Sequence, residues 1–120
     1  MTIIVKCNLS SEISQMKIDK STGEILRENR EKKGLLLRQV AAKLDIDTAI
    51  LSKIERSERK ATKEQIIKLA KILDLKEEDL LIQYLSEKIL YEIKDEELGQ
   101  KALKVAEQRM KYLNKNNSQD

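Results

Sequence analysis

LRQVAAKLDIDTAILSKIER, running from Leu37 to Arg56, is the stretch on which the fold turns. It reads as two short helices, about Leu37 to Leu44 and about Thr48 to Arg56, separated by Asp45-Ile46-Asp47. Two helices that cross steeply over so tight a turn restrict a handful of positions. The first helix must be small where the second crosses it, and Ala41 is. The junction must be filled from both sides by apolar groups, and Val40, Leu44, Ile46, Leu51 and Ile54 are available. The turn needs a residue that tolerates a left-handed backbone. Asp45 stands there, and Asp is among the more tolerant residues after glycine. Asp47 then suits the N-cap of the second helix.

Helical periodicity extends outward from this centre in both directions. Upstream, a helix of roughly Gly23 to Lys33 stops at Gly34, a residue suited to a helix C-terminus. Downstream, Ser57 to Ala61 is a polar loop, and Thr62 caps a helix of about Lys63 to Leu73. Its Ile66, Leu69, Ala70 and Leu73 share one face. Asp74 breaks the pattern before a fifth helix of roughly Glu77 to Ile93, where Ile82, Leu85, Ile89 and Ile93 form an apolar stripe. Asp95 reads as the cap of a sixth helix, about Glu96 to Lys115.

The expected organisation is an N-terminal arm over residues 1–20, a compact domain over 21–80, a helical extension over 81–115 and a polar tail over 116–120. The arm joins a β-branched run, Thr2 to Val5, to a polar stretch. It is read as poorly ordered, with a lone strand or a leader ahead of Met16 as alternatives.

Composition agrees with an all-α protein. Tyr84, Tyr91 and Tyr112 are the only aromatic residues, so the core must be aliphatic. Abundant Lys and Glu, no Pro and only three Gly favour helix. The net charge of +3 is unevenly spread: residues 21–60 carry ten basic and seven acidic groups, residues 61–120 eleven and twelve. A basic first half with a neutral second suits contact with a polyanion through one half and self-association through the other; a solvated mixed-charge surface gives the same counts.

The chain has no His and a single Cys, Cys7, so neither an internal disulfide nor a metal site is expected. Acidic pairs such as Glu77-Glu78 and Glu96-Glu97 are read as helix-start charges complementing the dipole. No enzyme activity and no cofactor are expected. Apolar runs such as Leu80-Leu81-Ile82 are far short of the roughly 20 residues that cross a bilayer. A cytoplasmic protein with no membrane partner is the expectation.

The wider segment Leu26 to Leu80, LRENREKKGLLLRQVAAKLDIDTAILSKIERSERKATKEQIIKLAKILDLKEEDL, resembles the lambda-repressor-like (Xre/Cro-type) helix-turn-helix family. The resemblance covers 55 of 120 residues. It rests on Arg30 four residues before Gly34, on Ala41, on the LSKIER run and on KLAKILDL in the fourth helix. It implies a five-helix DNA-binding domain, here with an additional C-terminal helix, and an ion pair between Arg30 and Glu55. Two positions depart from the family pattern. Relatives commonly place Ser or Thr, then Gln, at the start of the second helix; this chain has Leu36 and Leu37. Phosphate contact near this point would then fall to Arg38 or to backbone N–H groups.

In such a motif the second helix enters the major groove, where each base pair presents its own pattern of donors and acceptors. With Leu51 and Ile54 turned inward, Thr48, Ala49, Ser52 and Lys53 are the expected base-contacting residues. Arg56, Arg59 and Lys60 follow the helix and are expected on the DNA backbone, with Lys63 as a further candidate. This face lacks Arg, Asn and Gln, so DNA shape and half-site spacing would carry part of the specificity.

The sixth helix carries apolar residues on two adjacent faces, Leu98, Ala102, Val105 and Tyr112 on one and Leu103, Ala106, Met110 and Leu113 on the other. One face would dock the helix on its own domain; a second asks for a symmetry mate, with burial inside the monomer as the alternative. The functional expectation is a homodimeric transcriptional regulator on an inverted-repeat double-stranded DNA operator. An antitoxin with a toxin partner and a protein-interaction module on the same fold are the competing readings.

Overall fold

A computed structural model of the protein describes residues 19–118 and contains six helices among them. They are α1 (Thr22–Lys32), α2 (Leu37–Leu44), α3 (Thr48–Glu55), α4 (Lys63–Ile72), α5 (Glu77–Ile93) and α6 (Gly99–Ser118). The expectation for the N-terminal arm, and Cys7 with it, falls almost entirely outside the described residues. The all-α class and the five-helix domain with an additional C-terminal helix are what the structure contains. The chain forms two compact units, one ending at Glu87 and one beginning at Lys88.

The first unit is built by repeating one kind of helix ending. Four described residues have positive φ: Gly34, Asp45, Ser57 and Asp74. Each lies just past a helix, where a left-handed residue lets the chain double back and satisfy the last carbonyls. After α2, Asp45 N–H donates to Ala42 O at 3.1 Å and Ile46 N–H to Ala41 O at 3.0 Å. After α4, Asp74 N–H donates to Lys71 O at 3.4 Å and Leu75 N–H to Ala70 O at 2.8 Å. The same local sequence makes both stops: an alanine, then Leu-Asp, then an apolar residue that turns back to the core. Lys33 hydrogen-bonds the Asp74 carboxylate and holds it below the ordinary carboxylate range.

Helix starts are more varied. Ser21 caps α1 by accepting from Glu24 N–H at 3.2 Å. Thr62 and Gln65 cap α4 reciprocally, each side chain accepting from the other's backbone N–H. Asp47 holds the N-cap position of α3 in extended backbone, but its carboxylate makes no capping hydrogen bond. Leu36 supplies no acceptor for α2; instead Gln39 reaches back, and its Oε1 accepts from Leu36 N–H at 2.8 Å.

Leu26, Val40, Leu51, Ile66 and Leu69 are the largest fully buried side chains, so α1 to α4 share one aliphatic core. Ala41 and Ala70 are buried in the same core. α5 enters this core through Leu80 and Tyr84, and the Tyr84 hydroxyl donates to Ala61 O at 2.7 Å. Two further bonds tie α5 to the start of α1: Thr22 N–H donates to Glu87 Oε2 at 2.9 Å, and Gln83 Nε2 to Lys20 O at 3.1 Å. The Thr22 hydroxyl also donates to Glu87. The stripe of Ile82, Leu85 and Ile89 lies on the opposite side of α5 and is 43–49% exposed.

The second unit holds the end of α5, a turn region and α6. Asp95 does not cap α6, which begins at Gly99 rather than near Glu96. Glu96 N–H donates to Ile93 O at 3.0 Å and Gly99 N–H to Glu96 O at 3.1 Å, so residues 94–98 form consecutive turns. The reason lies at Gly99. A Cβ there would stand 2.5 Å from Ile93 O, so only glycine permits the approach, and the helix starts where the turn closes. Residues 100–116 of α6 are all exposed.

Candidate nucleic-acid interface

α3 is a rod of eight residues with a sharply divided surface. Leu51 and Ile54 are buried at its back, 0% and 3% exposed, and fix its rotation against α1, α2 and the core. Thr48, Ala49 and Lys53 are exposed on the other side, and Ser52 is half-buried. These four side chains thus share a surface open to solvent over its Thr48–Lys53 length. The left-handed Asp45 (φ 58°, ψ 45°) sets the angle at which α3 leaves α2.

The end of α3 is held by a buried ion pair. Arg30 Nε donates to Glu55 Oε2 at 2.8 Å and Arg30 Nη2 to Glu55 Oε1 at 3.1 Å, while Nη1 donates to Leu35 O at 2.9 Å. The Glu55 side chain is only 6% exposed. Its hydrogen bonds raise the pKa of Arg30, outweighing the opposite effect of burial. One guanidinium therefore joins α1, the α1–α2 loop and the last residue of α3. Buried charges persist when partnered and hydrogen-bonded in this way.

The cationic residues flank the α3 face. Arg56 lies immediately after the helix, with Nε donating to Ser52 O at 3.3 Å and Nη1 3.2 Å from Glu58. Arg59 and Lys60 are exposed along the α3–α4 connection, Lys63 is exposed at the start of α4, and Arg38 is exposed in the first turn of α2. Leu36 is exposed beside it, whereas Leu37 is half-buried and packs against the core. Gln39 was not among the residues singled out from the sequence. Its position three residues after the N-cap was the available signal, the second half of a capping box without the first.

Residues 26–80 match the helix-turn-helix family model. These 55 residues contain α1 from Leu26, the α2–turn–α3 unit, α4 and the start of α5. Over this segment, somewhat less than half of the chain, the protein is similar to the helix-turn-helix family. Among solved structures, the helix-turn-helix chain is similar to the clp gene regulator ClgR from Corynebacterium glutamicum in two crystal structures. One is 27% identical, covering 55% of this chain and 86% of that one, with a TM-score of 0.47. The other is 24% identical, covering 77% and 84%, with a TM-score of 0.48. A SinR protein/SinI protein complex gives 22% identity, 78% and 97% coverage and a TM-score of 0.45. A search of curated proteins finds no significant match.

Among the described residues there is no group of three or more His, Cys, Asp or Glu side chains placed to hold a metal ion. Nor is any described helix long and apolar enough to cross a membrane.

Proposed function

We propose that this protein is a DNA-binding transcriptional regulator that binds an inverted-repeat operator as a homodimer in the cytoplasm. The observation carrying the reading is the exposed face of Thr48, Ala49, Ser52 and Lys53 on a helix braced from behind by Leu51, Ile54 and the Arg30–Glu55 pair. A helix so presented fits the major groove, with Thr48 and Ala49 against thymine methyls, Ser52 as donor or acceptor, and Lys53 toward guanine O6 and N7. Arg38, Arg56, Arg59 and Lys60 position the domain on the phosphates.

One recognition helix spans only a few base pairs, so two copies reading half-sites about 34 Å apart supply the affinity and specificity a single copy lacks. The exposed apolar residues of α6 support this. Leu98, Leu103, Val105, Met110, Tyr112 and Leu113 are each more than 40% exposed, and Ala102 and Ala106 lie exposed between them. An apolar surface on two sides of one helix is buried economically by a second copy of the same helix.

Selection of bound duplexes from a random pool by the pure protein tests the reading. Enrichment of an inverted repeat with half-site centres about one helical turn apart is expected. Recovery of sequences with no common motif would contradict it.

A further inference from the structure

Beside the α3 face lies a groove of about 350 Å³ lined by Arg27, Arg30, Leu37, Ser52, Glu55 and Arg56. It is bounded by α1, by the first residue of α2 and by the C-terminal half of α3. Three guanidinium groups and one carboxylate line it, and that carboxylate is already bound by two nitrogens of Arg30. The cations of the groove not bound to its own carboxylate are Arg27, on α1, and Arg56, just after α3.

Neither of these arginines is committed to the core. Arg27 is 59% exposed and its Nε lies 3.3 Å from Glu31, one turn along α1. Arg56 is 52% exposed and its Nη1 lies 3.2 Å from Glu58. Exposed pairs of this kind contribute little to stability, so each cation can exchange its carboxylate for another anion without loss to the fold. The start of α2 closes the groove at Leu37. Gln39 already occupies the Leu36 N–H there, while Leu37 and Arg38, as the first residues of the helix, have backbone N–H groups with no partner inside it.

We propose that this groove seats one phosphate of the DNA backbone between Arg27 and Arg56, making Arg27 a DNA-contacting residue on α1. The inference rests on the functional reading above and adds a third element, α1, to the DNA-facing surface. Ser52 lines both the groove and the α3 face, so a phosphate seated there lies at the edge of the base-reading surface. The contact fixes the angle of α3 in the groove of the duplex and carries no sequence information itself.

The test uses the full-length protein and the duplex recovered by selection. Binding is measured as a function of salt for the intact protein, for Arg27→Ala and for Lys32→Ala, an exposed cation elsewhere on α1. Arg27→Ala is expected to weaken binding about tenfold on the selected duplex and on its single-base variants alike. It should also lower the slope of log K against log salt by about 0.9 per bound subunit. Lys32→Ala should leave that slope unchanged. In a scan replacing each phosphate in turn by a neutral methylphosphonate, the intact protein should be sensitive at one more position per half-site than Arg27→Ala. If Arg27→Ala keeps the wild-type slope and methylphosphonate profile while the intact protein binds its duplex, this inference fails and the functional reading stands. Failure of the intact protein to bind any duplex overturns both.

Discussion

Gly23 and Ile54 meet so closely that α1 begins against the end of α3: a Cβ on Gly23 would stand 2.4 Å from the Ile54 carbonyl oxygen and 2.6 Å from that of Glu55. The partner atoms are backbone, so no rotamer change relieves the clash. Gly23→Ala should cost about 1–3 kcal/mol of overpacking despite alanine's better helix propensity. For a domain of this size that lowers the melting temperature by roughly 4–8 °C per kcal/mol. Because α3 carries the proposed base-reading face, DNA affinity should fall with it. Calorimetry of the variant showing an unchanged or higher melting temperature would show that the two helices separate freely.

The Arg30–Glu55 pair permits a sharper experiment. Arg30→Ala leaves a carboxylate at a site 6% exposed and removes the donor to Leu35 O, which should cost about 3–5 kcal/mol. Replacing both partners, Arg30→Met with Glu55→Met, should recover most of that loss, since an apolar pair has no charge to desolvate. Denaturant titration of the single and double variants measures the coupling. Small, additive effects would mean that the pair is not structural.

A third expectation concerns Asp45, whose φ of 58° places an L-residue in left-handed backbone. Asp45→Gly removes a strain of about 1–2 kcal/mol and adds unfolded-chain entropy of about 0.5–1 kcal/mol. A net gain of roughly 0.5 kcal/mol is expected in thermal unfolding. A loss would indicate that the Asp45 carboxylate contributes an interaction of its own.

The proposed dimer is tested by sedimentation of the protein and of a chain ending at Ile93. The intact protein should run as a dimer and the shorter one as a monomer with weaker DNA binding. A shortened chain that remains a dimer would move the interface to another surface, for which the exposed Ile82, Leu85 and Ile89 on α5 are the first candidates.

The parts of the fold legible in the sequence are those where geometry leaves few residue choices. Ala41, Asp45 and Leu51 each stand where crossing helices demand something small, left-handed or apolar, and α2, α3 and their turn follow from them. Periodicity served α5 less well. Its bounds, Glu77 to Ile93, were readable, yet the conspicuous stripe of Ile82, Leu85 and Ile89 faces solvent while Leu80 and Tyr84 enter the core. A helix apolar on two opposite sides does not reveal from its sequence which side its domain uses. At α6, Asp95-Glu96-Glu97 mimics a cap followed by an acidic first turn. The deciding feature was the contact of Gly99 with the Ile93 carbonyl, which depends on the path of the chain. Thr22 and Glu87, 65 residues apart, carry no local signal of their hydrogen bonds. Arg27 carries no local signal for a similar reason: only the folded arrangement brings it to the same groove as Arg56.

The central claim is that the outer face of α3 reads bases while the cations beyond it hold phosphates. It is tested most directly by measuring Lys53→Ala and Arg59→Ala against every single-base variant of the selected duplex. Lys53→Ala should lose discrimination at one base pair per half-site, by about 1–3 kcal/mol, and retain it elsewhere. Arg59→Ala should weaken all duplexes by the same factor and flatten the salt dependence. The opposite pattern, uniform loss for Lys53→Ala with altered base preference for Arg59→Ala, would contradict the account.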